Sequence, residues 1–362
     1  MSVAQFSVAV RLSYGEPEMS TVIRTAPAGN LLVAADEVSL AATRPEPEPD
    51  YSTSNDYCDK SDVVRIGSVA TVVFFSGVIA FSLLGNTLVL VVLVRFENLR
   101  SATNSAILNL ALSDLLFTLG LPFWASYHLR GWTLGEASCK AVSLVFHAGF
   151  YSGVLSLTLM TVQRYLAVVH PLSDRGEARW PALVVWAVSL AAAAPALRST
   201  VQEHEGRFYC EYDAQGWKTL VVYQQNILFL AAFLVMAFCY TQILRTILRS
   251  PANKRIRTVK LIFSIVVLFF VGWAPYNVLI FLTTIPHTFT CDVSKRLDFT
   301  FYVCRLVAFS HCCLNPVFYV FVGVKFRRHL KVLLQKILPA RPASVETQPT
   351  RLGLVPSQGS MY

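Results

Sequence analysis

Charge is what this chain has least of. Only 15% of its 362 residues are Asp, Glu, Lys or Arg, while 54% are hydrophobic. Mean hydropathy is +0.50. A water-soluble domain carries about 25% charged and about 45–50% apolar residues, so that class is excluded. No fixed period relates the apolar segments, which argues against a transporter built from repeats. The strict alternation of an outer-membrane barrel is missing too. No metal-ligand spacing and no nucleophile–base pair occur, which removes the metal-site and enzyme classes. No Asn-x-Ser/Thr sequon occurs anywhere, so N-glycosylation is not expected. No lysine lies between Phe299 and Val322, so a retinal Schiff base has no anchor there. The opening "MSVAQFSVAVRLSYG" lacks a positive n-region, and the first apolar span then serves as the signal in place of a cleaved peptide.

What is present is long oily runs: Val69–Val94, Ser105–Tyr127, Ala141–Val169, Ala182–Leu197, Leu220–Leu244, Val259–Ile285 and Phe299–Val322. Most are long enough to cross a hydrocarbon core of about 30 Å as helices. Seven is odd, so the termini lie on opposite sides. Arg95, Arg100, Arg175 and Arg179 follow spans one and three; Arg245, Arg249, Lys254, Arg255, Arg257 and Lys260 crowd the fifth-to-sixth connection; Lys325, Arg327, Arg328, Lys331 and Lys336 follow span seven. All fall on one face, which is therefore cytoplasmic. The net charge of +9 is mostly a property of that inner surface and gives no reason to invoke nucleic acid. The fold class is an all-α membrane protein, a seven-transmembrane helix bundle in the plasma membrane with an extracellular amino terminus. Residues 1–62 read as a disordered acidic tail, 63–322 as the bundle, 323–338 as a short amphipathic eighth helix and 339–362 as a cytoplasmic tail. In the eighth helix Phe326, Leu330, Leu333, Leu334 and Ile337 form one stripe opposite basic residues, a pattern for the anionic inner leaflet. No cysteine follows Cys313, so a palmitoyl anchor is not expected.

Of eight cysteines, Cys239, Cys304, Cys312 and Cys313 fall inside spans as small packing residues. Cys58, Cys139, Cys210 and Cys291 fall outside the membrane in an oxidising compartment and should pair, with three connectivities open. The tail segment "EPEPDYSTSNDYCDK" sets Tyr51 and Tyr57 among acids, an anionic aromatic lure for a basic partner. Sulfation of either tyrosine would add charge.

Polar groups within the spans need reasons, since a charge at mid-bilayer costs about 2.5–3.5 kcal/mol on insertion scales. Asp114 is expected to share a polar core with Asn86 and Asn315, helped by Asn104 and Asn109. It acts there either as a sodium- and water-holding pocket, the one cofactor considered, or as a hydrogen-bonded clamp. Pro122, Pro275 and Pro316 each remove a backbone bond and mark bends. Trp273, two residues before Pro275, can turn a small push into a helix swing. Arg305, in the outer half of span seven, faces the bundle cavity, either to hold an anionic ligand group or to pair with Glu211 or Asp213.

"LALSD", Arg164-Tyr165, Trp186, Tyr240, "WAP" and "NPVFY" together resemble the rhodopsin-like (class A) G-protein-coupled receptors. The stretches "SDLLFTLGLPFWA", "GFYSGVLSLTLMTVQRYLAVVHP" and "AFSHCCLNPVFYVFVGVKFRRHL" resemble the chemokine receptors, most of all the XC (lymphotactin) branch. The resemblance covers about residues 58–338. It implies disulfides Cys139–Cys210 and Cys58–Cys291. It also implies a chemokine ligand whose amino terminus enters a cavity of Trp124, Tyr127, Tyr223, Tyr276, Tyr302 and Arg305. Arg164, Tyr165, Tyr240, Trp273, Pro275, Asn315, Pro316 and Tyr319 become the switch. An inhibitory-class heterotrimeric G protein, calcium release and chemotaxis follow, with receptor kinases and arrestin acting on Ser344, Thr347, Thr350, Ser357 and Ser360. The alternatives are a receptor for a CC-type chemokine and a non-signalling scavenger. Departures from the family pattern are Gln163 in place of an acid, Arg305 in place of a glutamate, Gly120-Leu121-Pro122 in place of a Thr-x-Pro, and no proline in span five. A hydrogen bond from Arg164 to Gln163 is expected to hold the guanidinium more loosely than an ion pair would.

Overall fold

A computed structural model of the chain describes residues 58–170, 179–204, 206–249, 253–285, 289–322 and 324–337. Tyr51, Tyr57 and the five candidate phosphorylation sites lie outside the described residues. Among the described residues, seven helical spans are long and apolar enough to cross a membrane. They are built from α1 (Ser61–Phe96), α2 (Ala102–Arg130), α3 (Gly135–Val169), α4 (Arg179–Ala193, prolonged by a 3-10 turn to Arg198), α5 (Gln215–Arg249), α6 (Asn253–Leu282), α7 (Cys291–Phe309) and α8 (His311–Val322). The last two form one broken span. An eighth helical segment, α9 (Val324–Ile337), follows. In lipid every backbone N–H and C=O must be satisfied within the segment, and a helix does this without help.

α3 is the central strut: 72% of its apolar window is buried, against 22% for Trp180–Arg198. Close helix approach there depends on small residues. A Cβ on Gly149 of α3 would sit 2.5 Å from the backbone nitrogen of Phe117 on α2. Outward-facing residues such as Phe81, Leu84, Val271 and Leu248 stay exposed, as a lipid-facing surface requires.

α1 begins at Ser61, ahead of the apolar run that opens at Val69, and Asp59 Oδ1 accepts the Ser61 N–H at 2.9 Å. That bond holds the Asp59 carboxyl below its usual range. At the same end a hairpin, β1 (Ser199–His204) and β2 (Arg207–Tyr212), pairs Val201 with Cys210. Cys210 bonds to Cys139 at the start of α3, and Cys58 bonds to Cys291 at the start of α7. Of the three possible connectivities this is the one the resemblance implied. Trp132 N–H donates to the Phe208 carbonyl at 2.8 Å. The preceding Gly131 has φ 77°, and a Cβ on it would lie 2.9 Å from that same carbonyl oxygen.

The seventh span was expected to bend at Pro316. It breaks one turn and a half earlier, at Ser310. Proline has no N–H for the Cys312 carbonyl, so the preceding turn opens. Ser310 N–H reaches both Leu306 and Val307 carbonyls, and Cys313 N–H turns to the Ser310 carbonyl. The carbonyl that Pro316 leaves idle is taken by α1: Asn86 Nδ2 donates to Cys312 O at 2.8 Å, and Ser82 Oγ at 3.3 Å. α5, without proline, runs unbroken for 35 residues.

α9 lies within the expected 323–338. His329 stacks on Phe96 of α1 at 5.1 Å and stands 3.4 Å from Glu97. Phe326 packs on the core while Arg327, Arg328 and Lys331 stay exposed. The side chains of Leu334 and Ile337 lie outside the described residues.

Candidate functional site

Three layers of polar and aromatic groups run from the disulfide-bonded end of the bundle to its basic end. At the disulfide end, Trp124 and Tyr127 of α2 lie edge to face at 5.8 Å, with Trp132 and Tyr209 completing the group. Tyr276 of α6 is buried against Phe301 and Trp273. Arg305 of α7 is 1% exposed. Its Nη2 donates to Thr71 Oγ1 on α1 at 2.8 Å, and its guanidinium lies 4.8 Å from the centre of the Tyr302 ring. A hydrogen bond and a cation–π contact thus offset the desolvation of this charge. Gly67 makes room: a Cβ there would fall 2.6 Å from the Tyr302 ring.

Two expectations fail at this end. Asp213 is not the partner of Arg305: it pairs with Arg198 just below the hairpin, because the loop carries its own cation. Tyr223 is not inside with the other rings. It is 41% exposed at the seam of α5 and α6 against Phe281, since its neighbours Gln224 and Gln225 take the inward faces. Gln224 Nε2 reaches the Ala192 carbonyl at 2.6 Å, and Gln225 Nε2 reaches Asn277 Oδ1 at 3.2 Å.

Beside Arg305 is a group the sequence reading missed. Lys60, two residues after Cys58, is fully buried. Its Nζ lies 2.8 Å from Asp298 Oδ2 and 2.5 Å from Ser294 Oγ. Cys291, Ser294, Asp298 and Arg305 follow helical spacing along one face of α7, and two opposite charges seven residues apart on that face were the available signal.

In the middle layer Trp273 has no exposed surface. It meets Phe150 at 4.4 Å, His311 at 5.3 Å and Phe309 at 5.9 Å. His311 Nε2 stands 3.9 Å from Asp114 Oδ1, while Asn315 Nδ2 donates to Asp114 Oδ2 at 2.7 Å. The polar core is therefore real but smaller than expected. Asn109 accepts the Trp186 N–H at 2.9 Å and so ties α2 to α4, whereas Asn104 bonds Glu97 and the Asn98 carbonyl at the rim. Asn86 joins through Ser82 and Cys312 and makes no bond to Asp114 itself. Ser82 in turn bonds Thr118, whose hydroxyl lies 2.6 Å from the Asp114 carbonyl. Asp114 Oδ1 and Asn86 Oδ1 are buried without a hydrogen-bond partner. Hard oxygens of this kind suit a small cation, whereas Asn315 presents its nitrogen and orients the carboxylate.

At the basic end Arg164 Nη2 donates to Thr103 Oγ1 of α2. Gln163 Oε1 is buried and accepts no hydrogen bond, so the expected Gln163–Arg164 bond is not formed. Adjacent residues on a helix point about 100° apart and do not face each other. The Tyr165 hydroxyl bonds His170 Nε2 at 3.0 Å, and Tyr240 of α5 packs on Phe263 of α6 at 5.1 Å. The Tyr319 side chain lies outside the described residues; its backbone and Pro316 are in α8.

The family model described as "7 transmembrane receptor (rhodopsin family)" matches residues 85–319. The chain belongs to that family. Within it the receptor belongs to the chemokine receptors. It is 43% identical over 309 residues to "Chemokine XC receptor 1" of Homo sapiens, which covers 83% of this chain and 92% of that one. It is equally identical over 318 residues to the Mus musculus protein of the same name, 85% of this chain and 97% of that one. "CX3C chemokine receptor 1" of Bos taurus is 38% identical over 80% of this chain and 84% of its own length. The receptor is thus a multi-pass membrane protein of a non-enzymatic signalling class, with chemokine and G protein as the partners of its family.

Proposed function

We propose that the receptor binds an XC-type chemokine at the disulfide-bonded end and activates an inhibitory-class G protein at the basic end, raising calcium and driving chemotaxis. In this reading the disulfide end is extracellular and the basic end cytoplasmic, which agrees with the oxidising chemistry of one and the Lys/Arg excess of the other. The specific choice of ligand rests on the likeness to two proteins named XC receptor. The acidic tail with Tyr51 and Tyr57 captures a basic cytokine; its amino terminus then reaches Trp124, Tyr127, Tyr276, Tyr302 and Arg305. Receptor kinases and arrestin act afterwards on the tail, and α9 lies on anionic inner-leaflet lipid.

The observation that carries the reading is the unbroken packing from the aromatic group at the disulfide-bonded end to the polar core. Tyr276 touches Trp273, Trp273 touches His311, and His311 approaches Asp114, whose other oxygen holds Asn315. Pro275, inside the continuous α6, and the open turn at Ser310 flank this column, so its ends can take two arrangements. Ligand biases them by its differential affinity. On activation α6 swings about Trp273 and Pro275, Tyr240 and Tyr319 rearrange, and Arg164 leaves Thr103 for the end of a G-protein helix. A sodium ion held by Asp114 Oδ1 and Asn86 Oδ1 would favour the resting arrangement.

The test is calcium flux in cells expressing the chain, with XC-type and CC-type chemokines compared. A pertussis-toxin-sensitive response to the XC ligand is expected. Response to a CC ligand alone would overturn the ligand assignment, and uptake without any response would make the receptor a scavenger.

A further inference from the structure

Between α5 and α6, in their basic-end halves, lies a cavity of about 640 Å³, within the range of small-molecule sites. Its floor is buried, with Met236 and Ile243 each 1% exposed. Its mouth opens sideways: Phe263, Leu244 and Val267 are 48%, 58% and 41% exposed on the surface that faces the bilayer. Of fifteen lining residues only Tyr240, Thr241 and Lys260 carry an oxygen or nitrogen in the side chain. Thr241 is satisfied within its own helix, donating to the Ala237 carbonyl at 2.7 Å. The Tyr240 ring is packed edge-on against Phe263. Lys260 sits at the basic-end lip, exposed, and among the described residues no carboxylate pairs with it.

In the sequence that contributes this lip the charge is of one sign. No Asp or Glu occurs from residue 214 to residue 291, whereas Arg245, Arg249, Lys254, Arg255, Arg257 and Lys260 lie in that stretch. A slot that is apolar apart from the Tyr240 and Thr241 hydroxyls, entered from the side, with an ammonium at the headgroup level that no described carboxylate neutralises, matches one kind of molecule in shape and charge. We propose that the cavity takes one acyl chain of an anionic glycerophospholipid from the adjacent leaflet, with the lipid phosphate on Lys260. The ammonium acts as a point charge on the phosphate, and the side chains from Phe233 to Val271 replace neighbouring lipid chains. A sterol would leave the cation unanswered. The inference does not depend on which chemokine or G protein the receptor uses.

The test uses the purified full chain in detergent, with native mass spectrometry counting retained phosphatidylserine and phosphatidylcholine of identical acyl chains. Photo-crosslinking from a diazirine-bearing chain then locates the site. Phosphatidylserine should be retained at least ten-fold better at the first site, with the label on α5 and α6 between Phe233 and Leu244 and between Phe263 and Val271. Lys260→Glu should abolish that preference, and Val267→Trp, which fills the slot, should reduce retention of both lipids. Arg328→Glu on α9 should leave the first site unchanged. The melting temperature of each variant reports whether it is folded, and the crosslink on the unmodified chain decides the matter if Val267→Trp is not. Equal retention of the two lipids, a label confined to other helices, equal loss in Arg328→Glu, or displacement of phosphatidylserine by cholesterol would each overturn the proposal.

Discussion

Removing one member of the Lys60–Asp298 pair should damage the receptor far more than removing both. Lys60 and Asp298 are buried to 2% and 3% exposure, 2.8 Å apart, with Ser294 as the third member. Breaking such a pair leaves an uncompensated charge and costs about 3–5 kcal/mol, whereas replacing it whole by apolar residues is often neutral. Asp298→Leu should therefore lower the melting temperature of the purified receptor sharply. Lys60→Met should do the same, and the double variant should recover most of the loss. What remains is about 1 kcal/mol for the stranded Ser294 hydroxyl. Melting curves on the four proteins complete the cycle. A double variant as unstable as the worse single one would refute the reasoning.

Arg164→Ala should abolish G-protein activation in a calcium-flux assay while radiolabelled chemokine still binds the cell surface; retained signalling would remove Arg164 from the switch. Arg305→Glu strands a carboxylate against Thr71 and the Tyr302 ring, so it should reduce maximal activation more than docking affinity, and equal losses of both would count against the cavity. Gly149→Ala drives a methyl to 2.5 Å from the Phe117 backbone, which should cost about 1–3 kcal/mol of overpacking and appear as a lower melting temperature; an unchanged melt would mean that α2 and α3 part freely.

The spans were legible because their signal is compositional and local. A run of roughly twenty apolar residues has few other structures open to it in lipid, and the excess of Lys and Arg marks one rim without any knowledge of packing. Contacts across helices were legible only where a residue type is rare enough to demand a partner. Asp114 and Asn315 met that condition and are joined; Arg305 met it too, but its partner, Thr71, is an unremarkable hydroxyl among many. Most of the failures have one physical source. The resemblance placed Tyr223 in the cavity and Asn109 was offered as a helper of Asp114, and neither reading gives the angle around the helix axis; Asn104, also offered, stands about 15 Å along α2 from Asp114, too far to help. Rotation by one residue, about 100°, carries a side chain from the cavity to the lipid, as the sequence Tyr223-Gln224-Gln225 illustrates. The Gln163–Arg164 bond failed for the same reason. Lys60 was missed because its partner lies 238 residues away, brought near by the Cys58–Cys291 bond. A cystine that closes so long a loop does more than constrain the unfolded chain. It sets the register in which Lys60 and Asp298 become neighbours, so the disulfide and the ion pair form one clamp beside Arg305 at that end of the bundle.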